Sequence, residues 1–107
     1  MEAGKLRTKA VVQARTLSRD AEGNMAETWH DIMTVWLEPL DRTTREFYRL
    51  STVNSEIEQA YRGRYNAVIN SKMRLKIGLR HFSIIGDPED EGGRHFSLLY
   101  SCKAVNS

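Results

Sequence analysis

Cys102 is the only cysteine in 107 residues, which excludes a disulfide within the chain and a thiolate zinc cluster within one chain. No stretch approaches the roughly 18 apolar residues of a membrane-spanning helix, and the opening MEAGKLRTKAVVQARTL lacks the apolar core of a secretory signal. From the sequence alone the expected setting is therefore cytoplasmic, with no membrane partner. The chain contains no G-x-S-x-G elbow, phosphate-cradling G-x-x-x-x-G-K-[ST], G-x-G-x-x-G or H-E-x-x-H. No acid, base and nucleophile set can be named, so neither an enzymatic activity nor a cofactor or metal is expected. His30, His81 and His95 are scattered beside aromatic or strand residues and read as strand-surface or interface histidines.

What is present suffices for one compact domain over 1–107, since 40% hydrophobic and 28% charged residues argue against wholesale disorder. Net charge is only +2, but the charges are sorted along the chain. Residues 1–19 carry +4, 20–38 carry −5 without a single basic side chain, 39–64 carry +1, 65–81 carry +4 without an acid, and 82–107 carry −2. Such sorting suits head-to-tail contact between copies in a ring, because complementary fields steer association. It equally suits basic strands pairing with acidic neighbours inside one subunit.

The β-rich TKAVVQARTLS, the turn-forming RDAEGN and the β-branched and aromatic AETWHDIMTVWLE read as a hairpin. Pro39 then suits a strand end or edge. In LDRTTREFYRLSTVN, Asp41 or Thr43 is placed to cap a short helix, with Glu46 three residues after Thr43 and Phe47 and Leu50 on one face. Further strands follow: EIEQAYRGRY with Ile57, Tyr61 and Tyr65 on one face, MRLKIGL with Met73, Leu75, Ile77 and Leu79 inward, RHFSIIG, and HFSLLYSCKAV alternating through Phe96, Leu98, Tyr100 and Cys102. The pattern predicts a mainly β chain of about six antiparallel strands, a small barrel or sandwich, with one short helix after the second strand. Cys102 falls on the inward set, as a small core residue rather than a nucleophile.

Three features call for a role. GDPEDEGG (86–93) packs Asp87, Glu89, Asp90 and Glu91 among glycines and a proline. It lacks the ligand order of a calcium loop, so it reads as a hairpin loop whose carboxylates are solvated and meet a basic partner surface. Arg42, Arg45 and Arg49 recur at three and four residues, so a helix there aligns them as a stripe with Glu46 among them. On a lone subunit that is a solvated face; repeated around a ring it is a positive collar for DNA phosphates, read without sequence preference. Trp29 and Trp36, seven apart, fall on opposite faces of a regular strand, one in the core and one at an interface, unless a bulge brings both inward.

The ordered set of motifs resembles the phage head-tail joining family, the head-closure or stopper proteins of long-tailed phages. GKLRTKAVVQAR resembles its N-terminal block through Gly4, Leu6, Arg7 and Gln13, with Ala14 standing where Arg commonly follows. The turn Asp20 to Gly23, then Trp29, then VWLEPL (35–40) resembles the next block, and GRY (63–65), MRL (73–75), FSIIGDPED and LLYSCK follow in order. The resemblance implies a small antiparallel β-barrel subunit in a homo-oligomeric ring, usually twelvefold, in the neck of a virion assembled in the host cytoplasm. It implies a portal or adaptor partner on the head side, a tail terminator or tail tube on the tail side, and packaged double-stranded DNA in the channel. The segment matching the family's channel-closing connection is Asp41 to Asn54.

On that reading the expected function is a non-enzymatic plug. Arg42, Arg45 and Arg49 face phosphate, while Trp36, Phe47, Tyr48 and Leu50, with the acidic loop Asp87, Glu89, Asp90 and Glu91, meet neighbouring subunits or partners. The segment 41–54 is expected to be loosely ordered in a free monomer. One alternative is a head-tail adaptor or tail-side terminator ring without gating. Another is a free nucleic-acid-binding barrel with Tyr61, Arg62, Arg64 and Tyr65 as an aromatic-basic platform.

Overall fold

The computed structural model describes residues 5–105, so Gly4 of the opening motif lies outside the described residues. Seven strands form one antiparallel sheet: β1 Thr8–Arg19, β2 Met25–Leu40, β3 Gln59–Arg64, β4 Arg74–Ile77, β5 Arg80–Ile84, β6 Glu89–Asp90 and β7 Ser97–Val105. Helix α1, Arg45–Val53, lies in the connection after β2, and a 3-10 turn, Glu91–Gly93, follows β6. The strand order is β3-β2-β1-β4-β5-β7-β6, and β3 also pairs with β7, so the hydrogen bonding runs in a closed ring with β6 added beside β7. The expected class, mainly β and antiparallel with a single short helix after the second strand, is the one the chain adopts.

Alternation builds the interior. Ala10 and Val12 on β1, Leu37 on β2, Tyr61 on β3, Leu75 on β4, Phe82 and Ile84 on β5, and Leu98, Tyr100 and Cys102 on β7 enclose the main core with Ile69. Gly63 eases the closure: a Cβ there would lie 2.7 Å from Leu37 Cδ2 and 3.3 Å from the Tyr100 ring, so any larger residue would have to push those buried side chains aside.

A second, smaller core lies on the outer side of the sheet. Phe47 and Leu50 of α1, together with Ile57, cover Leu40, Ala60 and Leu99. β7 is therefore buried on both faces, Leu99 outward and Leu98 inward, which a strict inside-outside alternation does not anticipate. The connection after β2 is consequently docked, not loosely ordered: each of the two buried α1 side chains contributes roughly 1.5–3 kcal/mol by leaving water.

Four details of the predicted pattern are corrected. Leu79 is almost fully exposed, because Gly78 (φ 62) and Leu79 form the two-residue reversal between Ile77 and Arg80. Phe96 is exposed because β7 begins only at Ser97, after His95 has turned left-handed (φ 54). GDPEDEGG is more than a hairpin loop, since Glu89 and Asp90 pair with Leu99 and Leu98 as a short strand. The two tryptophans share the outer face and neither is core: Val12 pairs with Met33 but Gln13 with Asp31, so Ile32 is an inserted bulge residue that resets the alternation between them.

β1 and β2 outrun the rest of the sheet. β1 meets β4 only over Val11–Gln13, and β2 meets β3 only from Leu37 to Leu40. From Ala14 to Arg19 and from Met25 to His30 the two strands pair with each other alone, a ribbon that extends the molecule to 49 × 27 × 27 Å.

Candidate functional site

Thr44, not Asp41 or Thr43, caps α1. Its Oγ1 accepts from the Phe47 N–H at 3.2 Å and donates to the Asp41 carbonyl at 2.7 Å. Glu46 in the first turn complements the helix dipole, and the helix closes with the Asn54 N–H on the Leu50 carbonyl at 3.0 Å. With Phe47 and Leu50 turned to the sheet, Arg45, Tyr48 and Arg49 occupy the exposed side and Glu46 the flank.

The three arginines are all exposed but not equivalent. Arg42 donates to the Glu58 carbonyl at 3.1 Å and lies 5.3 Å from the centre of the Phe47 ring. Arg49 grips Glu89 with both terminal nitrogens, at 2.7 and 2.6 Å. Arg45 makes no hydrogen bond or ion pair among the described residues. The stripe exists, with its positive charge partly answered inside the chain.

The acidic loop is drawn inward as well. Asp87 accepts from the Ser71 N–H at 3.0 Å, and Asp90 accepts from the His95 N–H at 3.0 Å and lies 2.9 Å from its Nδ1. Glu89 holds Arg49, and Glu91 holds Arg62 and accepts from the Ser97 hydroxyl at 2.8 Å. Because the four carboxylates point to four different partners, they do not converge on a point where a cation would sit. No group of three or more His, Cys, Asp or Glu side chains among the described residues is placed to hold a metal.

Arg62, which the sequence placed only in an aromatic-basic platform, is the centre of an ion cluster within the chain. From the outer face of β3 its guanidinium contacts Glu91 through two hydrogen bonds of 2.9 Å, Glu38 of β2 at 3.2 Å and Glu46 of α1 at 3.3 Å. The Glu91 hydrogen bonds raise the Arg62 pKa above its ordinary value, and the same contact, helped by Ser97, holds the Glu91 carboxyl below the usual range. One cation thus ties β2, β3, α1 and the 3-10 turn together. Its partners lie far away in sequence; the only local sign was that Arg62 falls on the opposite strand face from Tyr61.

Among the residues expected at an interface, Phe47 and Leu50 are corrected: both are buried within the chain, because the sheet beneath α1 offers them an apolar surface. Trp36 and Tyr48 remain exposed, at 52% and 70%. The aromatic-basic platform is dismantled, since Tyr61 packs in the main core, Tyr65 stacks edge-on against His95 and Arg62 is neutralised. Cys102 is fully buried, and burial pushes its thiol up to about 12.

Among solved structures, the chain is similar to protein SF1141 from Shigella flexneri 2a, with a TM-score of 0.71 and 27% identity over 100% of this chain and 99% of that one. It also shares its fold with a chain of the virion of a native gene transfer agent particle, with a TM-score of 0.64 and 16% identity over 95% and 97% of the two chains. No protein of curated function matches. The model of the phage head completion proteins matches residues 1–105, and the chain therefore belongs to that family of structural virion proteins.

Proposed function

We propose that this chain is the head-closure protein of a phage neck. Copies of it form a ring, twelvefold by family resemblance, between the portal or its adaptor and the tail terminator or tube. The ring retains the packaged DNA and presents the surface that receives the tail. The observation that carries the reading is the family match along residues 1–105, joined to an exposed helix side bearing Arg45, Arg49 and Tyr48 in the connection after β2. Arg42, Arg45 and Arg49 face the channel and meet phosphate without reading sequence. Closure is steric and electrostatic; no bond is made or broken.

A second reading, a bridging adaptor or tail-side terminator ring without gating, is favoured by the Arg49–Glu89 clamp, which reduces the charge left for DNA, and by the Arg42 hydrogen bond to the Glu58 carbonyl, which occupies a donor otherwise free for phosphate. DNA-filled heads lacking the protein separate the two. They are supplied with the wild-type chain or with Arg45→Gln, which removes the arginine that has no described partner and so disturbs the fold least. The stopper reading expects restored nuclease protection before any tail is added, weakened by Arg45→Gln. Restored tail joining with no change in DNA retention would overturn it in favour of the adaptor.

A further inference from the structure

The β1–β2 ribbon is an exposed arm with an apolar tip. Leu17 and Met25 are neighbours on its outer face, 54% and 57% exposed, in a two-stranded ribbon that is marginal in water without a partner. Among the described residues the arm is tied to the rest of the sheet at its root. There Arg74 Nε donates to Gln13 Oε1 at 2.7 Å, Gln13 Nε2 donates to Asp31 Oδ1 at 2.7 Å, and the Arg74 guanidinium lies 4.2 Å from the centre of the Trp29 ring. The brace aims the arm but leaves its tip uncovered. The tip has an acidic excess: Asp20 and Glu22 lie in the turn and Glu27, paired with Arg15 at 3.5 Å, lies beside Leu17, against the single cation Arg19 opposite Met25.

Where β2 has not yet met β3, a cavity of about 230 Å³ opens beside the exposed Trp36, lined by Leu6, Trp36, Gly63, Arg64 and Tyr65 among others. No carboxylate among the described residues lines it. Basic side chains surround it: Arg64 in its wall, Lys5 and Arg7 flanking Leu6, and Lys9 paired across the strands with Trp36. Met25 and Trp36 are eleven residues apart on one continuous strand, about 35 Å at the rise of β structure, so the arm cannot reach the cavity of its own chain.

We infer that the tip of the arm, Leu17 and Met25 with Asp20 and Glu22, docks into the Trp36 cavity of a second copy, its acidic turn against the basic rim formed by Arg64 and Lys9. The knob and the hole are different surfaces of one molecule, so the contact is heterologous and repeats from copy to copy, the arrangement that closes into a ring when the rotation allows. Opposite charge at the two ends sets its direction. This inference deepens the proposed ring by naming the surfaces that join its subunits.

Cross-linking tests it. Chains carrying Glu22→Cys or Arg64→Cys are mixed, added to filled heads and treated with a short bifunctional maleimide, which Cys102, buried and protonated, does not consume. The expected product is a dimer that forms only when both variants are present, and a ladder of multimers when one chain carries both. As a second measurement, Arg64→Glu and Glu22→Lys each lower head-bound protein at least tenfold, and the two reversals combined restore it. Chains that stay on the heads but give no Glu22-to-Arg64 product, or that ignore the reversals, overturn the arm contact and leave the neck reading standing. Chains that never bind heads overturn the neck reading; the cross-link in a concentrated solution of the free chain then decides the arm contact alone.

Discussion

Arg62→Met isolates the ion cluster that fastens the connection after β2, since methionine keeps the apolar stem and removes the charge. The arginine side chain is 21% exposed, and those of Glu38, Glu46 and Glu91 are 16%, 32% and 30% exposed. Removing one partner of a fully buried pair costs about 3–5 kcal/mol; with part of every group in water, about 2–3 kcal/mol is expected here. For a domain of this size that lowers Tm by about 8–15 °C. Glu91 supplies a pH signature. Its folded carboxyl titrates below the ordinary value, chiefly through Arg62, so its contribution is complete above the unfolded pKa of about 4.3 and is lost as pH falls through the folded one. The gap between wild type and Arg62→Met, read by urea unfolding, should be full at pH 7 and narrow below about pH 4. An equal gap at pH 3 and pH 7, or one under about 0.5 kcal/mol at pH 7, would refute the argument. Arg49→Met is the control: its pair with Glu89 is 48% and 40% exposed, so it should cost under about 1 kcal/mol.

Gly63→Ala should destabilise by about 1–3 kcal/mol in urea unfolding, because the new methyl meets Leu37 Cδ2 at 2.7 Å and Leu37 is fully buried. Thr44→Ala should cost about 1 kcal/mol by leaving the Phe47 N–H without its cap, with the loss recovered by Thr44→Ser. Cys102 should resist a water-soluble thiol reagent at pH 8 in the native chain and react at once in denaturant; ready native labelling would contradict its burial.

The hairpin of β1 and β2 is legible because turn formers separate two β-rich runs, and the main core is legible because inward residues keep a period of two. Reading failed where that period is interrupted or where a distant element adds a surface. Ile32 looks like any strand residue, yet as a bulge it moves Trp29 and Trp36 to one face. Leu79 and Phe96 continue the alternation in the sequence but stand just beyond the strands. Leu99 and Ala60 are buried by a helix from another part of the chain, which no local window contains. For the site, the stripe of Arg42, Arg45 and Arg49 was visible as spacing. That Arg49 is clamped and that Arg62 gathers three carboxylates follows only from closure of the sheet, which brings together residues 16 to 40 positions apart.

The docked α1 reverses the order of events expected for a gate. Lifting it exposes Phe47 and Leu50, at about 3–6 kcal/mol for the pair, and breaks Arg62–Glu46 and Arg49–Glu89 besides. A bias of about 4 kcal/mol already holds the lifted form near one molecule in a thousand. A free chain should therefore be ordered over residues 45–53, and any movement in the neck must draw on contacts that favour the lifted state by a comparable amount. Native-state amide exchange measures this directly. The α1 amides of a verified monomer should be protected about a thousandfold, with Arg62→Met lowering that protection and Arg49→Met scarcely changing it. Protection should fall when the chain is built into filled heads only if α1 is the moving part; unchanged protection in the particle assigns closure to another element. Unprotected α1 amides in the monomer would refute the docking itself, because the hydrogen-bonded amides of a helix held down by Phe47 and Leu50 exchange only when it opens.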